Sequence, residues 1–186
     1  MRAVPLELWP FASGPQAAGA TLEATIEREG GRIALRYRLH DPDRRMRLPE
    51  ARRGGRADRL WEHTCFEAFL APRGACAYWE VNLSPDGSWN VYRFADYRTG
   101  MEAEPRVPMP TIRREDDGGW QVLDASIDVG GIDALASGPL EGGLAAILET
   151  HDGRLSHWAL RHGSERPDFH QRDSFVVSLP FGRNAA

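Results

Sequence analysis

The sequence predicts an all-β protein, a two-layer antiparallel β-sandwich of immunoglobulin or jelly-roll type with one or two short helices. Three observations carry that prediction. Apolar residues recur at every second position in segment after segment, which is the period of a half-buried strand. Turn formers stand between the segments, among them the doublets Gly30-Gly31, Gly54-Gly55, Gly118-Gly119, Gly130-Gly131 and Gly142-Gly143, which read as strand connectors. No composition break or internal repeat divides the 186 residues, so residues 1–186 are read as one domain. A closed barrel is the alternative that periodicity leaves open.

The elements follow in order. Leu22, Ala24 and Ile26 alternate with Glu23, Thr25 and Glu27; after Gly30-Gly31, Ile33, Leu35, Tyr37 and Leu39 alternate with Ala34, Arg36 and Arg38. This is a hairpin with one apolar face. Residues 41–59 are polar and arginine-rich, with Pro and Gly breakers, and read as a long loop that is either a binding lid or mobile. Strands are expected at Thr64–Leu70, Tyr78–Leu83 and Trp89–Phe94, the last two joined by Pro85-Asp86-Gly87. Arg106–Arg114 and Trp120–Asp128 form a further pair, and Ile132–Ser137 one or two helical turns. Leu144–Thr150 and Leu155–Leu160 flank a turn at His151-Asp152-Gly153, and Ser174–Leu179 is a last strand. About nine or ten short strands with few helices specify the sandwich.

Composition narrows the function classes. All 23 basic residues are arginine and the formal net charge is -4. Global charge therefore gives no pull toward nucleic acid, and no chemistry that needs a lysine operates here. No apolar run approaches the ~20 residues of a membrane helix, and MRAVPLELWPF lacks the apolar stretch of a signal peptide. Cys65 and Cys76 are too few for a disulfide scaffold or a four-thiolate zinc site. Placed on neighbouring strands they would not face each other. Both are read as reduced and the protein as cytoplasmic.

The polar residues with chemistry to offer sort onto one face. In Tyr78–Ser84 one side carries Tyr78, Glu80, Asn82 and Ser84, the other Trp79, Val81 and Leu83. In the preceding strand Phe66, Ala68 and Leu70 oppose Cys65, Glu67 and Phe69. Turning the apolar sides to the core puts Glu67 and Glu80 on one outer surface near Asn82. The strand Trp89–Phe94 adds either Trp89 and Arg93, or Asn90 and Tyr92. Carboxylates, an amide, an arginine and aromatics on one surface suit a polyol: polar groups bond ring-edge hydroxyls, and indoles stack on C–H faces. A Glu facing an Arg is also an ordinary cross-strand ion pair. Trp61, Trp79 and Trp158 read as core, and Trp89 less so because it follows a turn. Glu67 and Glu80 also have the residue types of a glycosidase acid and base, but nothing in the sequence fixes their separation, and the noncatalytic reading is taken.

Asp168 and His170, two apart, read as a pair that pins Gly163–Arg172. A metal site of His162, Asp168 and His170 is conceivable through a loop, but no zinc spacing is present. His151 falls in a turn. The arginine run Arg52-Arg53-Gly54-Gly55-Arg56 reads as a solvated loop, or as part of a protein-binding edge. No GxGxxG, Walker A, GxSxG or HExxH occurs.

Three segments, LWEHTCFEAFL (Leu60–Leu70), YWEVNLSPDGSWNVYRFADYRTGM (Tyr78–Met101) and SHWALRHGSERPDFHQRDSF (Ser156–Phe175), resemble a bacterial DOMON-like domain, in the group related to family 9 carbohydrate-binding modules. The resemblance implies a β-sandwich with a ligand pocket on one sheet, sugar binding in some branches and haem b in others. The matching motif positions are Trp61, Thr64, Glu67, Glu80, Asn82, Trp89, Tyr92 and Arg98. Haem ligation in that superfamily uses Met with His, or with Lys; here Met101 with His157, His162 or His170 is what remains. Related sugar-binding modules can also carry calcium. The expectation is a noncatalytic module that binds a saccharide or sugar-containing metabolite through Trp61, Glu67, Glu80, Asn82, Trp89, Tyr92, Arg93 and Arg98. No metal and no cofactor are expected, with haem b as the alternative.

Overall fold

The computed structural model describes residues 4–11 and 19–181. Its strands are β1 (Leu6–Pro10), β2 (Thr21–Glu29), β3 (Arg32–His40), β4 (Cys65–Pro72), β5 (Tyr78–Leu83), β6 (Trp89–Phe94), β7 (Glu102–Ala103), β8 (Thr111–Asp117), β9 (Trp120–Asp128), β10 (Leu140–Glu149), β11 (Leu155–Ala159) and β12 (Val177–Leu179). A single helical turn, α1, spans Asp133–Ala136. The order across the sheet is β7-β6-β5-β4-β10-β11-β1-β2-β3-β9-β8, with β12 on β10. Every pairing between these strands is antiparallel. No helix among the described residues is long and apolar enough to cross a membrane.

The two layers are one curled sheet. Strand β1 joins them: Leu6, Glu7 and Leu8 pair with β2, whereas Trp9 and Pro10 pair with β11. The alternating residues Leu22, Ile33, Leu35, Tyr37 and Leu39 of one layer meet Phe66, Leu70, Val81 and Leu144 of the other in the main core. Tyr37 and Phe66 touch there with ring centroids 5.0 Å apart. The Tyr37 hydroxyl donates across the layers to the Glu67 carbonyl at 2.5 Å.

Strands β4 and β5 are buried on both faces. Their outer face carries a second apolar cluster, with Phe69, Tyr78, Tyr92, Phe94, Phe169 and Phe175. The covering pieces are Trp61, from a short 3-10 turn at Leu60–Glu62, and residues 163–175 after β11. This cover creates the site.

Several local expectations change. The 41–59 segment is fastened along the sheet. Arg47 N–H donates to the Glu149 carbonyl, Arg52 to Asp86, Ala57 to Trp89, and Trp89 returns a bond to Gly55. The Arg56 guanidinium bonds Asn90 Oδ1, Glu104 O and Val107 O at 2.7–2.9 Å and lies 4.2 Å from the Trp89 ring centroid. Gly54 packs so closely on the β5–β6 turn that a Cβ would sit 1.8 Å from the Gly87 oxygen. Gly142 and Gly143 lie inside β10, not in a connector, because Phe175 packs where a Gly143 side chain would stand. The strand expected from Arg106 begins only at Thr111, and the last one only at Val177. Cys65 is buried in β4, while Cys76 is exposed between β4 and β5.

Candidate functional site

The cross-strand register decides which side chains meet. Glu67 sits opposite Asn82, Phe69 opposite Glu80, Glu80 opposite Tyr92, and Asn82 opposite Asn90. Glu67, Glu80, Asn82 and Tyr92 therefore share the outer face of β4, β5 and β6. Trp89 and Val91 have the other parity and enter the main core. Trp89, 3% exposed, is thus removed from the site face by the pairing Val81↔Val91. Arg93 shares that parity and is exposed at the sheet's margin opposite Glu102. These two candidates do not join the others.

The remaining candidates surround a cleft of about 330 Å³ lined by Trp61, Glu67, Glu80, Phe94, Arg98, Met101, Ile147, His157, Pro167, Phe169 and His170. Asn82 and Tyr92 stand one layer back. Asn82 Nδ2 donates to Glu80 Oε1 at 2.6 Å, and its Oδ1 faces the Cys65 thiol at 3.3 Å. Tyr92 donates to Asp58 at 2.7 Å, accepts from Asn90 at 2.9 Å, and meets the edge of Trp61 at 5.7 Å. Trp61, weighed as core but named among the expected ligand-binding residues, is half-buried and forms a wall of the cleft.

The floor is electrostatically unusual. Glu67 is 3% exposed and Glu80 4%. Among the described residues the Glu67 carboxyl has no hydrogen-bond partner; the charges that act on it are Glu80 and, in the opposite direction, Arg98. Burial, reinforced by the neighbouring Glu80, pushes its pKa well above the usual carboxylate range. Burial also pushes Glu80 up, to about 7, against the lowering effects of the Asn82 bond and Arg98.

His170 closes one side. Its Nδ1 pairs with the Tyr78 hydroxyl at 2.8 Å and its Nε2 lies 3.7 Å from Glu80 Oε2. Burial first, then Arg98, lowers its pKa to about 4, so it stays neutral at neutral pH. Tyr78 stacks on Phe94 at 4.8 Å. Asp168 fastens this wall to the β6–β7 turn. It accepts from Tyr97 Oη at 2.5 Å, from Arg98 at 3.0 and 3.3 Å, and from the His170 backbone N–H at 3.1 Å. The expected pinning by Asp168 and His170 is therefore a web with Tyr97 and Arg98. Tyr97 and the apolar lining residues Ile147, Pro167 and Phe169 lay outside the sequence reading. The Asp168–His170 spacing and the resemblance over Ser156–Phe175 were the signals that the segment carrying Pro167 and Phe169 takes part.

The conceived His162–Asp168–His170 metal site does not assemble. His162 Nε2 contacts the Trp9 carbonyl at 2.8 Å, while Asp168 and His170 hold the partners just described. Haem fits the donor set poorly. Met101, His157 and His170 do line the cleft, but both His170 nitrogens already face Tyr78 and Glu80. A porphyrin face would also lie against two carboxyls. What the floor offers is hydrogen bonding by two carboxyls, with flat apolar walls beside them.

Comparison with known proteins agrees on architecture. No protein-family model matches the sequence, and no curated protein matches it. Among solved structures, a candidate carbohydrate-binding protein of Bacteroides uniformis is similar over 98% of this chain and 87% of its own, with a TM-score of 0.69 and 18% identity. A family 9 carbohydrate-binding module of Caldicellulosiruptor kristjanssonii is similar in two complexes. With glucose the TM-score is 0.55 at 11% identity, covering 97% of this chain and 87% of that one. With cellotriose it is 0.58 at 10% identity, covering 98% and 85%. At these identities the likeness is one of fold.

Proposed function

We propose that the cleft on the outer face of β4–β6 binds a saccharide without transforming it. The observation that carries this reading is the Glu67 carboxyl: nearly fully buried, facing the cleft, and without a hydrogen-bond partner. Its oxygens open onto the cleft without a protein donor among the described residues, and a ligand hydroxyl would supply one. Glu80 has a lone pair to spare beyond its Asn82 bond, and Trp61 and Phe169 supply faces for ring C–H groups. Arg98 at the rim reaches outer hydroxyls. The complexes of the Caldicellulosiruptor module with glucose and cellotriose, and the motif resemblance to DOMON-like domains, support the same ligand class.

The test is titration calorimetry with glucose, cellotriose and a wider sugar panel. Binding should appear at or below millimolar concentration and weaken about tenfold or more in Trp61→Ala and in Glu67→Ala. A panel that gives no heat at millimolar concentration sinks the proposal.

A further inference from the structure

The cleft floor holds two buried carboxyls and no cation to balance them. Among the described lining residues, Arg98 alone carries a permanent positive charge. It stands at the rim, with its guanidinium given to Asp168. His157 and His170 are both held toward the neutral form, by burial first, and then by His162 and Arg98 respectively. His170 reaches Glu80 only at 3.7 Å and Glu67 not at all. Elsewhere in this chain a buried carboxyl is given its partner. Glu104 takes Arg106 at 2.7 Å and the Trp79 indole at 3.0 Å; Glu149 takes Arg47 at 3.2 Å and His63 at 2.9 Å. Among the described buried glutamates Glu67 is the exception, and with Glu80 it faces the cleft.

A neutral sugar would satisfy hydrogen bonds here and leave the carboxyls holding their protons. A carboxyl in a dry site either keeps its proton or acquires a counter-charge. A ligand ammonium supplies that charge together with three donors. The rings of Trp61, Phe94 and Phe169 around it would add cation–π attraction. Resting on the saccharide reading, we infer that the bound sugar carries a protonated amine: an amino sugar whose ammonium group sits against Glu67 and Glu80. This selects glucosamine-type units over neutral hexoses and over N-acetylated ones, whose amide has no charge.

Calorimetry of the full chain at neutral pH with glucosamine, glucose and N-acetylglucosamine tests this. Glucosamine should bind about tenfold tighter than either neutral sugar. That ratio should fall to within about twofold in Glu67→Gln and in Glu80→Gln, with melting by circular dichroism confirming that each variant is folded. The wild-type ratio decides the matter even if a variant fails to fold. Equal affinity for glucose and glucosamine overturns the inference and leaves the saccharide reading intact. No binding of any of the three, or of other sugars, overturns both. A glucosamine preference that survives both substitutions overturns the assignment of the ammonium to this carboxyl pair.

Discussion

At Glu67 and Glu80, burial works against charge, and at His170 it does the same with the opposite sign. A folded Glu80 that titrates at about 7 instead of 4.5 holds its proton after the unfolded chain has lost one. Its contribution to stability is therefore complete in acid and is lost as pH rises from about 4.5 through about 7. Glu67 acts in the same direction. A folded His170 that titrates at about 4 instead of 6.5 contributes stability above pH 6.5 that is lost as pH falls toward 4. The two effects oppose each other over nearly the same window, each on the order of 3 kcal/mol at most. With Glu67 added to Glu80, two carboxyls outweigh one histidine, and chemical denaturation should show wild-type stability falling as pH rises across this range. Glu80→Gln should tilt the profile toward greater stability at higher pH, and His170→Phe should tilt it the other way. A profile that neither substitution changes would contradict this account of the buried charges.

Among the elements, the segments that cover the sheet matter as much as the strands. Residues 163–175 reach the β6–β7 turn through one carboxylate, so Asp168→Ala removes bonds from Tyr97, Arg98 and the His170 backbone together. The expected cost is about 2 kcal/mol in urea unfolding, with sugar affinity falling as the wall carrying Phe169 and His170 loosens. The 41–59 segment lies against the β5–β6 turn through glycine, and Gly54→Ala should lower Tm by about 5 °C or more through overpacking. Equal melting temperatures for Gly54→Ala and wild type would show that the contact gives way freely. The partners of these couplings were not legible in the sequence, where 41–59 read as a lid or a mobile loop and Asp168 with His170 read as pinning only their own segment. What was legible followed from side-chain period: β5, β6 and β9 have the expected limits, and Glu67, Glu80 and Asn82 share a face as alternation required. Strand β6 resisted, since WNVYRF is apolar or aromatic on both sides and its parity is set only by pairing with β5. Strand β1 resisted because LELWP offers too few alternations. The cover over β4 and β5 was hidden for a third reason: their outer face mixes Phe69 and Tyr78 with Glu67 and Glu80, so a face destined for burial read as a wet one.

Across the whole molecule, the site depends on the two layers being held in register. The Tyr37 hydroxyl, from the far layer, bonds the backbone of the residue that bears the unpaired carboxyl. Tyr37→Phe keeps the ring packing against Phe66 and deletes only that bond. It should cost about 1 kcal/mol of stability, and NMR shifts of Glu67 and its β5 neighbours should move although the substitution lies beneath the sheet. No shift at Glu67 would show that the layers position it independently.

Strand β1 spans both layers, which has a consequence for the order in which the protein can be made. Trp9 pairs with Ala159, about 150 residues further along, a separation of the kind that slows folding. On the ribosome the strand that joins the halves emerges well before its second partner, β11. A nascent chain arrested before Leu155 carries unsatisfied edges on β1 and β10, each a template for pairing with another copy. Such truncated chains should sediment as aggregates, while chains extended past β12 should run as a single soluble species, so closure of the sheet has to wait for β11.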